Sequence, residues 1–137
     1  MIEMTQQLPP TITFIMPIQK KEDFLVEQIA TMFTISESYS GFCEIIIMGN
    51  GAEDKAIKIA WLAMTLNKIK HPHVRTKMIN FTSQLEINDL IETGIKHALG
   101  QKIIIVTENP EEIESEKING ASNKDVSTVQ SILNAAL

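Results

Sequence analysis

The chain has 137 residues and a mass of 15.3 kDa, which suits one domain able to bury a core without disulfides or a structural metal. With 44% apolar and 21% charged residues and a formal charge of -5, its composition is that of an ordinary globular protein. Its cations are lysines scattered along the chain, with Arg75 the only arginine, so the basic footprint of a nucleic-acid binder is missing.

Residues 1–10 read as a polar lead ending in Pro9-Pro10, which favours an extended approach, and residues 11–137 as a single α/β domain. The β-branched, apolar run Thr11-Ile12-Thr13-Phe14-Ile15-Met16 is the first strand, closed by Pro17, which has no N–H to give a sheet ladder. From Asp23 the period changes: Leu25, Ile29, Met32 and Phe33 recur at helical spacing with Glu27 and Gln28 between them, and the polar run 36–41 ends the helix. Residues 43–48 are apolar on both faces apart from Glu44 and predict a strand inside a covered sheet. Cys43, the only cysteine, fits there as an inert core thiol.

The turn Gly49-Asn50-Gly51 then leads into a helix over residues 53–69, stopped by Pro72. Alternation over residues 74–81 predicts a strand solvated on part of one side. Residues 86–99 form an amphipathic helix with Ile87, Leu90, Ile91, Gly94, Ile95 and Ala98 on one face and Gly100 as its stop. Residues 102–107 are a fourth, doubly covered strand. Pro110 opens an acidic stretch suited to a helix N-terminus, residues 118–124 read as a loop, and Val129, Ile132, Leu133 and Ala136 predict a last short helix.

Four strands alternating with helices imply right-handed crossovers and a Rossmann-like, three-layer α/β/α fold with a mostly parallel sheet. In such folds ligands sit at the carboxyl ends of the strands. No segment reaches the roughly 18 apolar residues of a membrane span. The first residues lack a basic region followed by an apolar stretch, so a cytoplasmic protein is expected and the Asn80-Phe81-Thr82 sequon is chance.

Three strand ends together resemble the N-terminal, nucleotide-sugar-binding half of inverting family 2 glycosyltransferases of the GT-A fold. Ile15-Met16-Pro17-Ile18-Gln19-Lys20-Lys21 is similar to the family's strand ending in Pro-Val-Tyr-Asn-Glu. Glu44-Ile45-Ile46-Ile47-Met48-Gly49-Asn50-Gly51-Ala52-Glu53-Asp54 resembles Glu-Ile-Ile-Val-Val-Asp-Asp-Gly-Ser-x-Asp. Gly94, Ala98 and Gly100, followed by the strand into Thr107-Glu108-Asn109, resemble Gly-x-x-x-Ala-x-Gly and the strand carrying Asp-x-Asp. The resemblance implies a nucleotide or nucleotide-sugar site across Pro17, Ile18, Gln19, Lys20, Lys21, Gly49, Asn50, Gly51, Thr107, Glu108 and Asn109.

The departures from that pattern remove the chemistry. Lys21 and Gly49 stand where the family has nucleoside-contacting acids, and Thr107-Glu108-Asn109 replaces the metal-binding Asp-x-Asp with mostly neutral oxygens. Only residues 110–137 follow, without the acceptor half or its catalytic carboxylate. The expectation is a degenerate, half-length relative with no catalytic residues, no metal and no cofactor, binding a nucleotide or nucleotide sugar. The alternative is a non-catalytic oligomerisation or protein-interaction module on the same scaffold.

Lys20 and Lys21 either hold a phosphate in place of a metal or form a solvated pair neutralised by Glu22 and Asp23. His71-Pro72-His73 lacks a third ligand nearby and reads as a solvated turn; His97 has no nucleophile motif beside it. On the second helix, Ile57, Ala60, Trp61 and Met64 make one apolar face for the sheet. Ile59, Leu62, Leu66 and Ile69 make a second, nearly opposite one, so a homo-oligomer built on that face is expected unless the C-terminal helix folds back over it.

Overall fold

A computed structural model describes residues 11–18, 22–39, 41–50, 54–83, 85–114, 118 and 124–131. The elements in chain order are β1 (Ile12–Pro17), α1 (Glu22–Ser38), β2 (Cys43–Asn50), α2 (Asp54–Lys70), β3 (Arg75–Phe81), α3 (Ile87–His97), β4 (Lys102–Val106), a 3-10 turn at Pro110–Glu112 and β5 (Asp125–Val129). The strands form one parallel sheet in the order β3-β2-β1-β4-β5. From β1 the chain steps outward to β2 and β3, then returns to the other side of β1 as β4. The direction of winding therefore reverses between β1 and β4.

That reversal puts helices on both faces. Phe14, Met16, Ile45, Ile47, Ile104 and Val106 pack against α1 and α2, while Ile15, Ile46, Met48, Ile103 and Ile105 pack against α3. The strict alternation is the period of two that a pleated strand imposes, and the central strands read as continuous apolar runs because both faces are covered. α3 lies close on the sheet because Gly94 has no side chain: a Cβ there would meet Met48 Sδ at 2.5 Å and Ile15 at 3.3 Å.

A buried polar network fastens the amino edge. Glu44 is fully buried; its Oε1 accepts the Thr13 hydroxyl at 2.8 Å and the Leu99 N–H at 2.9 Å, and Thr13 Oγ1 accepts the Gly100 N–H at 3.0 Å. Glu44 Oε2 meets no donor at hydrogen-bond angles but lies 3.2 Å from the Lys77 ammonium, which also donates to the His97 carbonyl at 2.8 Å. A carboxylate survives in this interior because each oxygen faces a donor or a cation. Gly100 is required by close approach: a Cβ would stand 2.7 Å from Thr13 N and 2.8 Å from Ile12 C.

The sheet has one strand more than the sequence predicts. Asp125–Val129 is β5 and not the start of a helix: Val126 is buried, and the run pairs with β4 from Lys102↔Asp125 to Val106↔Val129. Val129 therefore belongs to a strand, while Ile132, Leu133 and Ala136 lie outside the described residues. The helix expected after Pro110 is a single 3-10 turn. α1 runs through the polar residues expected to end it; there Ser36 and Ser38 donate their hydroxyls to the helix's own Met32 and Ile35 carbonyls. No helix among the described residues is long and apolar enough to cross a membrane.

Candidate functional site

The three strand ends have different environments. β1 ends at Pro17, and Ile18 continues its ladder by donating to the Met48 carbonyl at 2.7 Å; both residues are buried. Gln19, Lys20 and Lys21 lie outside the described residues, as does Gly51.

The end of β2 is occupied by the protein itself. The sequence predicts a turn at Gly49-Asn50, but both residues remain in the strand, paired with Asn80 and Phe81. A Cβ on Gly49 would collide with the Asn80 side chain and reach Ile57 Cδ1 at 2.8 Å, so this glycine answers to packing. Asn50 donates to the Leu85 carbonyl at 2.9 Å and accepts the Leu85 N–H at 2.6 Å, a two-bond clasp that holds the segment before α3. Asn50 follows Met48 on the α3 face of the sheet.

The end of β4 opens onto a cleft. Thr107 is buried, gives its N–H to the Val129 carbonyl at 3.1 Å and accepts the Asn109 N–H on its hydroxyl at 3.3 Å, which turns the chain sharply. Glu108 and Asn109 are thereby set at the mouth of a cleft of about 590 Å³, whose other walls are Phe24, Glu27 and Gln28 from α1 and Gln130 and Ser131 beyond β5. Gln28 is almost fully buried and accepts the Ser131 hydroxyl at 3.3 Å; Gln130 reaches the Glu108 carbonyl at 3.4 Å. The cleft therefore lies over the carboxyl ends of β4 and β5, on the α1 face, beside the reversal of winding between β1 and β4.

Of the expected ligand residues, Glu108 and Asn109 come together there with Thr107 beneath them, while Gly49 and Asn50 are turned to internal packing. Phe24, Glu27, Gln28, Gln130 and Ser131 were not foreseen as site residues. Glu27 and Gln28 fall between the apolar positions of α1 and read as solvent-facing. The signal that places them is topological, since the first turns of a crossover helix stand beside the strand end it leaves. Gln130 and Ser131 could be placed only by recognising Val126, Thr128 and Val129 as the β-branched pattern of a strand.

The cleft lining described here has three amides, a hydroxyl, an aromatic ring and two carboxylates, with no Lys or Arg among these seven residues. Such walls suit hydrogen bonding to a neutral, hydroxyl- and amide-bearing group, with Phe24 available for an apolar or planar face. No group of three or more His, Cys, Asp or Glu side chains placed to hold a metal occurs among the described residues. His71 stacks obliquely near Phe33 and lies 3.5 Å from Glu37, His73 is exposed, and His97 contacts the Thr93 carbonyl of its own helix. Cys43 is buried, and burial pushes its thiol pKa up against the opposing hydrogen bond with Ser36, so it is no nucleophile.

No family model matches the chain, and no curated protein matches it in sequence. Among solved structures, a universal stress protein in complex with cAMP is similar with a TM-score of 0.52 at 8% identity, covering 89% of this chain and 98% of that one. A universal stress protein from Archaeoglobus fulgidus gives a TM-score of 0.49 at 13% identity, covering 88% and 95%, and its complex with dAMP gives 0.49 at 14%, covering 87% and 98%. The fold shared with the cAMP complex, together with the lack of any matching family model, overturns the resemblance to family 2 glycosyltransferases. The motifs that carried it have other causes: Gly49 and Gly94 serve packing, Asn50 clasps Leu85, and Gly100 admits the β1 backbone. What the chain shares with known structures is the Rossmann-like α/β fold of the universal stress proteins.

Proposed function

We propose that the chain is a mononucleotide-binding domain that performs no reaction on its ligand, with the site in the cleft between α1 and the carboxyl ends of β4 and β5. The single observation that carries this reading is the cleft's position beside the reversal of winding, where open α/β sheets leave room for a ligand. The structure of a universal stress protein in complex with cAMP, similar in fold to this chain, supports it by analogy.

The nucleoside is expected to lie between Phe24 and the amides of Gln28, Asn109 and Gln130, which offer both donors and acceptors to a base edge and a ribose. The phosphate faces a less favourable wall, because Glu27 and Glu108 are the charged residues lining the cleft. Lys20 and Lys21, the next cations in the chain after Ile18, are assigned to neutralise it. This favours a mononucleotide over a triphosphate.

The test is calorimetric titration with AMP, cAMP, ATP and a uridine diphosphate sugar, followed by amide-shift mapping of the tightest binder. Binding that perturbs Phe24, Gln28, Asn109 and Gln130, and weakens on replacing Lys20 and Lys21 together with alanine, is the expected result. No heat with any of the four, or shifts confined to β3 and its flanks, would overturn it.

A further inference from the structure

Two helices depart from the pattern of one apolar stripe facing inward. On α2, Trp61, Leu62, Leu66 and Ile69 are exposed on the outer face, Trp61 at 57% although the sequence predicts it among the packed positions, with Ile59 half-buried beside them. On α3, the polar Asn88 is only 2% exposed, in a helix whose other buried residues are Leu90, Ile91, Gly94 and Ile95. Apolar side chains on a surface need no partner, whereas a buried amide must find its own.

Asn88 finds three. Its Nδ2 donates to Glu86 Oε1 at 3.0 Å and to the Glu112 carbonyl at 3.2 Å, and its Oδ1 accepts the Glu114 N–H at 2.8 Å. Two acceptors and one donor around it fix which way the amide points, and no carboxylate or hydroxyl offers two donors and an acceptor. The bonds to Glu112 and Glu114 cross from the first turn of α3 to the turn after β4, 24 and 26 residues further on. That turn is short and its Glu111, Glu112 and Glu114 are exposed; Ile113 is its apolar anchor, on the α3 side of the sheet.

We infer that Asn88 is a positioning residue for the cleft: from the opposite face of the sheet, it fixes through Glu112 the turn that carries Asn109 to the cleft wall. Its effect on binding rests on the nucleotide reading of that cleft; its effect on the turn does not. The path is short. Asn88 holds the Glu112 carbonyl, the Glu112 N–H donates to the Asn109 carbonyl at 3.0 Å, and Asn109 lines the cleft. A wall fixed before the ligand arrives needs no ordering when it binds. Asn88 is not itself a cleft residue, so the loss of its amide reaches the ligand only through the turn. Its bonds to Glu112 and Glu114 are part-buried, so the backbone groups released can take up water and the sheet survives the loss.

The test compares Asn88→Ala and Asn88→Asp with Asn50→Ala in the full chain, by calorimetric titration with AMP and by amide hydrogen exchange. Aspartate keeps an acceptor for the Glu114 N–H but sets an oxygen against the Glu112 carbonyl and the Glu86 carboxylate. Exchange at the Glu112 amide should therefore quicken in both Asn88 variants, and at the Glu114 amide in Asn88→Ala only, while the amides of β1 stay protected. AMP should bind both Asn88 variants about fivefold more weakly than the wild type, as expected when a group once fixed must be ordered on binding. Asn50→Ala also removes two hydrogen bonds near the start of α3, those to Leu85, but leaves the turn after β4 untouched and should bind AMP as the wild type does. Unchanged AMP affinity in folded Asn88 variants overturns the inference, as does an equal loss in Asn50→Ala. Asn88 variants that no longer fold would make this residue a determinant of the fold and overturn it too. If the wild type binds no AMP, the nucleotide reading falls on its own and exchange at Glu112 decides: quickened exchange sustains the role of Asn88 in the turn, and unchanged exchange ends it.

Discussion

At the amino edge of the sheet, Thr13, Glu44, Lys77 and the Leu99 and Gly100 backbone answer one another inside the fold. At the carboxyl edge, Gln28, Glu108, Asn109 and Gln130 line a cleft that opens to solvent. Both edges gather polar side chains at strand ends of the same parallel sheet. The difference is what lies beside them: the amino-edge network is closed within the fold, whereas the carboxyl-edge contacts, Ser131 to Gln28 and Gln130 to Glu108, border an open cleft. Polar residues at strand ends therefore do not mark a site by their type, and Asn50 illustrates this by turning both its amide nitrogen and its amide oxygen to Leu85.

The largest expected effect breaks the closed edge. Glu44→Ala leaves the Thr13 hydroxyl and the Leu99 N–H without their acceptor in the interior and removes the partner of Lys77. Lys77 is half-exposed and can be rehydrated, so the loss falls mainly on the buried Thr13 hydroxyl and, less, on the part-buried Leu99 N–H. A destabilisation of about 3 kcal/mol is expected in urea unfolding. A loss within experimental error would mean that the network is incidental to the fold.

Two of the packing glycines, Gly100 and Gly94, rank next and separate rigid from yielding neighbours. Alanine at Gly100 presses on Thr13 N and Ile12 C, backbone atoms of a central strand that cannot move away, and is expected to cost about 2 kcal/mol. Alanine at Gly94 meets the flexible end of Met48 first and gains helix propensity worth about 1 kcal/mol, so its net cost should be well below that of Gly100→Ala. Thermal unfolding of the two variants side by side checks the order.

Asn50→Ala tests the comparison from the side of the ligand. It removes two hydrogen bonds to Leu85 and should lower stability by about 1–2 kcal/mol. Because Asn50 lies on the α3 face, nucleotide affinity should be unchanged in the same calorimetric titration. A variant that folds as stably as the wild type but loses nucleotide would return Asn50 to the site and remove the distinction drawn between the two edges.

The sequence was most legible where one physical signal dominated. The doubly apolar runs of β1, β2 and β4 and the amphipathic stripe of α3 are recognisable because burial dictates nearly every residue. β5 was not, because its five residues form a short run beside Ile132, Leu133 and Ala136, whose spacing suggested a helix. At the strand ends, glycines and asparagines chosen for close packing are indistinguishable in sequence from those that cradle a ligand. That ambiguity produced the glycosyltransferase resemblance. The outer face of α2 was legible in Leu62, Leu66 and Ile69, since a helix on a sheet needs only one apolar stripe. Trp61 was misplaced because it borders both stripes, and only the angle at which α2 sits on the sheet decides between them.

The smallest expected effect sharpens the account of the open edge. Glu27 is exposed on α1 at the wall of the cleft, and its charge opposes a phosphate wherever in the cleft that phosphate lies. At an effective dielectric near that of water and a separation of several ångströms, one such repulsion is worth about 0.5 kcal/mol. Glu27→Gln keeps the side chain's length and a hydrogen-bonding group while removing the charge. AMP should therefore bind about twofold more tightly to Glu27→Gln than to the wild type at low ionic strength, and adenosine should bind equally to both. The AMP advantage should fade as salt rises, since this carboxylate is open to screening. An equal gain for adenosine would assign the effect to packing or hydrogen bonding at the cleft wall. A loss for AMP would mean that Glu27 contacts the sugar or base directly, with the phosphate held away from it.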